Sequence, residues 1–118
     1  MIHAKDLMIG NYLNTSFGVA KIISIDNVGI TFKNKDGEFD IDFHDEDAWI
    51  QEIPLTTEIL EKNFPEPTDG LTWFPEEGGF NCHSYVPKCE INAFGLFRYV
   101  HQLQNALRLC GIEKTIEL

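Results

Sequence analysis

Positive charge is scarce in this chain: nine Lys and Arg residues stand against 19 Asp and Glu, a formal net charge of -10. A domain that grips DNA or RNA carries a basic patch or stripe to meet the phosphates, so direct nucleic-acid binding is not expected. Long apolar runs are missing as well. No stretch approaches the roughly 18 residues of a membrane span, and the start, Met1 to Asp6, lacks the basic-then-apolar order of a secretory signal. A soluble, cytoplasmic protein with no membrane partner is expected. Cysteine is sparse and odd in number, with no C-x-x-C pair among Cys82, Cys89 and Cys110, which removes a disulfide framework and suits a reducing cytosol. A Ser elbow, a glycine-rich phosphate loop and an H-E-x-x-H helix are all absent. No cofactor and no structural metal are expected.

What is present is enough for a core. The 118 residues, 43% hydrophobic, suit one domain over residues 1–118 with two subregions. Residues 1–53 read as β. Strands are predicted at 7–13 and 19–26, separated by a turn at 14–18, and the chain turns again at Asn27-Val28-Gly29. The next hairpin has the strongest local signal: strands 30–35 and 38–44 around Asp36-Gly37 as a type I′ turn. That loop sets Lys35 opposite Glu38, Asn34 opposite Phe39, Lys33 opposite Asp40, Phe32 opposite Ile41 and Ile30 opposite Phe43. A strand at 48–53 completes about five, and an SH3-like small β-barrel would hide their edges.

Residues 54–118 read as α+β. Pro54 interrupts the strand pattern, Thr56 offers an N-cap to a helix reaching Asn63, and Leu55 with Leu60 forms a hydrophobic staple. Residues 64–70 are rich in turn formers. Strands at 71–74 and 80–86 flank Glu76-Glu77-Gly78-Gly79, and a third strand is expected at 90–94. The fold class is therefore α+β: an N-terminal SH3-like small β-barrel, then a small antiparallel sheet covered by a C-terminal helix.

That last helix, 98–110, carries the most specific pattern in the chain. At 100° per residue Val100, Leu103, Leu107 and Cys110 share an inward stripe, bordered by Ala106 and Tyr99. Arg98, His101, Gln104, Asn105 and Arg108 fall on the other side, and Gly111 stands where a left-handed residue ends a helix. A solvated face explains this set. So does a partner-binding surface, or an amide set that caps neighbouring loops.

Three strings, Ile9-Gly10-Asn11-Tyr12, Ile53-Pro54-Leu55-Thr56 and Val100-His101-Gln102-Leu103-Gln104-Asn105, span almost the whole chain. In their order the chain resembles a family of small uncharacterised proteins from Bacteroidetes gut bacteria and their phages or prophages. The resemblance implies a shared fold and a phage or mobile-element setting. It brings no catalytic residue and no cofactor with it.

Two constellations invite chemistry. Glu38, Asp40, Asp42 and His44 alternate, so a strand would project all four from one face, as ligands for a divalent ion or as a solvated acidic face. Successive members of such a row sit roughly 6 to 7 Å apart, too far for one ion to engage all four. Cys82 and His83, with Cys89, are the other set, yet their spacing matches no zinc finger, and neighbours in a strand point to opposite faces. The aromatics Trp49, Trp73, Phe74, Phe80, Tyr85, Phe94, Phe97 and Tyr99 read mainly as core, with any exposed remainder forming a protein or peptide groove.

The expected function is a non-enzymatic protein-interaction module with a protein partner, in the phage or prophage setting the resemblance implies. Arg98, His101, Gln104, Asn105 and Arg108 are its expected binding residues. The alternatives are a small metal-dependent or cysteine hydrolase and an acidic mimic of nucleic acid.

Overall fold

The structure is a computed structural model that describes residues 7–65, 71–84 and 95–118. It is a mixed α+β chain of two units, Met1–Ile53 and Pro54–Leu118. The division falls at Pro54, where the strand pattern of the sequence stops.

The first unit holds strands β1 (Tyr12–Thr15), β2 (Gly18–Ile25), β3 (Gly29–Asn34), β4 (Gly37–Asp42) and β5 (Ile50–Gln51). They form one antiparallel sheet in the order β4-β3-β2-β1-β5, open among the described residues, with β4 and β5 at its edges. Leu13, Ala20, Ile22, Ile30, Phe32 and Ile41 point to one side and make the core, joined by Leu7. The run Ile22-Ile23-Ser24-Ile25 breaks the two-residue alternation, and a bulge between Ile22 and Ser24 restores it, so that Ile25 packs against the same core.

Three expectations change here. The strand expected at 7–13 starts only at Tyr12, because Met8 N–H donates 2.8 Å to Asn11 Oδ1 and turns the chain at Gly10. Asn11 is fully buried, and the turn stays joined to β2, with Gly10 N–H donating to Ile22 O at 2.8 Å and Ile22 N–H to Asn11 O at 2.9 Å. The strand expected at 48–53 shrinks to Ile50–Gln51, paired with Thr15 and Asn14.

The central hairpin forms, but two residues out of the expected register. Asn34 faces Gly37, Lys33 faces Glu38, Phe32 faces Phe39, Thr31 faces Asp40 and Ile30 faces Ile41. The loop is therefore Lys35-Asp36, with Gly37 just after it at φ 128°. Asn34 shapes the loop, its Oδ1 accepting from Asp36 N–H at 2.9 Å. A slip of two keeps every side chain on its own face, so hydrophobic alternation could not tell the registers apart. The second expected ion-pair rung becomes a hydroxyl bond, Thr31 Oγ1 to Asp40 at 2.6 Å.

The second unit holds α1 (Thr57–Asn63), β6 (Leu71–Glu76), β7 (Gly79–Ser84) and α2 (Val100–Leu109). Thr56 caps α1, its side chain accepting from Ile59 N–H at 3.2 Å, and the staple residues Leu55 and Leu60 are both buried. β6 and β7 form a two-stranded antiparallel sheet around Glu77-Gly78. Phe97 extends that sheet as a bridge to Phe80, with mutual main-chain bonds of 2.9 and 2.8 Å. The third strand expected at 90–94 lies outside the described residues.

Candidate functional site

Helix α2 is where the sequence placed recognition, and its construction is now visible. It begins at Val100 with Tyr99 as N-cap, so Arg98 precedes the helix instead of lying on its face. Gln102 does the capping from the third helical position. Its Oε1 accepts from Arg98 N–H at 2.8 Å and from Tyr99 N–H at 3.1 Å, satisfying two main-chain donors at the helix entrance. This cap closes the helix's own entrance and is made by Gln102, a residue outside the set of five expected on the outer face.

The inward stripe is Val100, Leu103, Ala106 and Leu107, all buried, while Cys110 at the C-cap is only half-buried. His101 departs from the expected solvent side. It is 4% exposed, with its ring stacked on Tyr99 at 5.9 Å between centroids and 10° between planes. The apolar stripe spans a wider arc than four residues, and the flat contact with Tyr99 draws the imidazole into its border. Gln104 and Asn105 are half-buried, and Arg108 and Arg98 are exposed. The structure thus leaves two exposed arginines and two half-buried amides from the expected set of five.

The helix ends as its sequence implies. Gly111 at φ 74° donates to Arg108 O at 3.0 Å and Ile112 donates to Leu107 O at 2.9 Å, the paired bonds of a Schellman motif. The helix entrance is tied to the start of α1: Leu55 N–H donates to Arg98 O at 2.8 Å, and Pro54 bridges Tyr99. Two of the three quoted strings therefore meet at one joint, and the third is a turn in which Asn11 is buried and Ile9 exposed.

The acidic row resolves differently. β4 stops at Asp42, so His44 lies in the following turn, off the strand that was to project it. Asp42 turns the chain there, its Oδ1 accepting from His44 N–H at 2.8 Å, while Asp40 accepts from Thr31. Among the described residues no group of three or more His, Cys, Asp or Glu side chains is placed to hold a metal ion. Nearby, the Gly29 and Val28 amides donate to the Asp26 carboxylate at 2.9 and 2.8 Å and hold it below the ordinary aspartate range.

Cys82 and His83 diverge as strand neighbours must: Cys82 is buried, and His83 is exposed with its ring edge-on to Phe74 at 5.2 Å. Cys89 lies outside the described residues. Trp73 packs between Phe64 at 5.4 Å and Phe97 at 5.6 Å, beside a cleft of about 280 Å³ that Leu60, Phe64, Trp73 and Phe80 help to line. Tyr85 and Phe94, read with these aromatics, lie outside the described residues.

Phe74 is exposed in this unit, and the other exposed aromatics among the described residues belong to the first unit. Phe17 is 60% exposed at the β1–β2 turn, and its ring meets Phe39 at 5.1 Å, which in turn stacks on Phe32. Trp49, 49% exposed, is tied to the same turn: Ser16 N–H donates to Trp49 O and Trp49 N–H to Ser16 Oγ, each at 3.1 Å. The sequence groups Trp49 with aromatics that are mainly core, and the turn expected at 14–18, which contains Phe17, was the signal that could have placed that ring outside.

Among the described residues no helix is long and apolar enough to cross a membrane. In comparisons with protein-family models, curated proteins and solved structures, nothing matches the chain.

Proposed function

We propose that this protein is a non-enzymatic protein-interaction module, working in the cytoplasm on a protein partner. The observation that carries the reading is the pair Phe17 and Trp49, two large aromatics held exposed on either side of one hydrogen-bonded turn. Exposed aromatic clusters of this kind are enriched in protein interfaces, where rigid rings anchor into a partner's pockets. The strand order β4-β3-β2-β1-β5, with the last strand returning beside the first, supports an SH3-like small barrel for this unit. In the second unit, Arg98, Gln104, Asn105 and Arg108 form a second contact set, and buried His101 supports it from within by stacking on Tyr99. The resemblance of the three strings supports a phage or prophage accessory role.

The test is affinity capture from host lysate with the intact protein and two variants. Phe17→Ser with Trp49→Ser should abolish stoichiometric capture while leaving the melting temperature within a few degrees, because exposed side chains contribute little to stability. Arg98→Ala with Arg108→Ala should weaken it. Undiminished capture by both variants would withdraw the reading.

An acidic mimic of nucleic acid is the second reading, and the exposed carboxylates Glu38, Asp40 and Asp42 along edge strand β4 favour it. A captured partner that normally binds DNA, released by Asp40→Asn with Asp42→Asn, would select this reading.

A further inference from the structure

Beyond the Schellman turn, residues 112–118 run without helix or strand along α1, and among them only Ile116 is buried. Asn63, itself 6% exposed, reads the main chain of this segment. Its Nδ2 donates to Glu117 O at 2.7 Å and to Ile59 O at 2.8 Å, while its Oδ1 accepts from Glu117 N–H at 2.7 Å. The side-chain amide thus stands in for a neighbouring β-strand at one residue. Lys62 Nζ donates to Leu118 O at 3.0 Å, and Lys114 Nζ sits 5.0 Å above the Phe64 ring.

The polar contacts from Asn63 and Lys62 all fall on main-chain atoms, which any extended segment offers. Side-chain demands are two: an apolar residue where Ile116 is buried, and a cation two positions earlier, over the Phe64 ring. We propose that the C-terminal end of α1 is a seat for an extended peptide, filled here by the chain's own residues 112–118. The occupant it takes in trans is a partner segment with Lys or Arg two residues before an Ile-like side chain. The segment works as a strap. With one buried side chain and no regular structure, it opens locally while the rest of the unit stays folded, as such segments do. Tethering gives the strap an effective concentration in the millimolar range, so a partner must displace a built-in competitor. This surface is separate from the Phe17–Trp49 turn, and the seat stands or falls independently of it.

The test uses the full chain and a synthetic peptide of residues 113–118, followed by NMR at the Asn63 side-chain amide. Ile116→Asp in the full chain removes the strap's apolar anchor. The peptide should then bind saturably, about tenfold or more tighter than to the unaltered chain, because the tethered competitor is weakened. The same peptide with its own Ile replaced by Asp should not bind. Adding Asn63→Ala to Ile116→Asp should abolish peptide binding, followed in that variant at the main-chain amides of α1. No saturable binding to a folded Ile116→Asp chain overturns the proposal. Should that variant fail to fold, hydrogen exchange in the unaltered protein decides: the Glu117 amide should exchange at least about 100-fold faster than the Leu103 amide. Equal rates would mean that the strap opens only with the whole unit, and the seat would be withdrawn.

Discussion

Two side chains show how much a single acceptor does in this protein. The Asp26 carboxylate accepts the Gly29 and Val28 amides and so joins β2 to β3. Those bonds favour its charged form and lower its pKa in the folded state relative to the unfolded chain. A carboxylate of this kind contributes stability that is present above its unfolded pKa, about 3.9, and that disappears as pH falls through the lower folded value. Asp26→Asn keeps an acceptor oxygen but removes the charge. Its destabilisation, read from urea midpoints, should therefore be evident at about pH 6 and shrink as pH falls below about 3.9. A difference independent of pH would show that the charge has no part in the turn. Gln102 is the counterpart at α2, where one oxygen serves two main-chain donors. Gln102→Ala should cost about 1 kcal/mol in urea denaturation. No change would mean that water replaces the cap without loss.

The hairpin of β3 and β4 shows why pattern alone leaves a register open. Phe32 and Ile30 must face apolar partners, yet both Phe39-Ile41 and Ile41-Phe43 meet that need. The observed pairing instead follows the loop, where Gly37 carries φ 128° and Asn34 folds over Asp36. A Cβ at Gly37 would meet open space, so a substitution there reports backbone conformation alone. Gly37→Val should destabilise the protein by on the order of 1 kcal/mol or more, since a β-branched residue resists positive φ. An unchanged melting temperature would argue for a loop that has no need of positive φ. Register also decides chemistry here: Asp40 meets the Thr31 hydroxyl and Lys33 meets Glu38, so the row expected to face two lysines faces one.

For the chain as a whole, charge is the property with the widest consequence. Nineteen acidic side chains against nine basic ones leave a net repulsion that opposes folding and discourages self-association. Salt screens repulsion between exposed charges over a Debye length of roughly 10 Å at 0.1 M. Raising sodium chloride from about 0.01 M to about 0.15 M should therefore raise the melting temperature. A fall would show that favourable ion pairs outweigh the repulsion.

Local chemistry made much of this architecture legible. Thr56 before an apolar helix, Gly111 after one, and the alternation along residues 30–41 each act within a few residues, so the elements they mark form, while the hairpin's register and the bounds of β4 and α2 differ from those expected. The same locality explains why Cys82 and His83 were separable as opposite-facing neighbours. Position in three dimensions was another matter. His101 is drawn inward by Tyr99, and Phe17 stays outward beside Trp49, though hydropathy ranks them the other way. His44 leaves its strand because Asp42 accepts its amide. Asn63 pairs with Glu117 across 54 residues of chain, and no spacing in the sequence announces such a partner. Periodicity records which face a residue occupies within its own element. Which partner it meets depends on contacts between distant segments, and these exist only once the chain has folded.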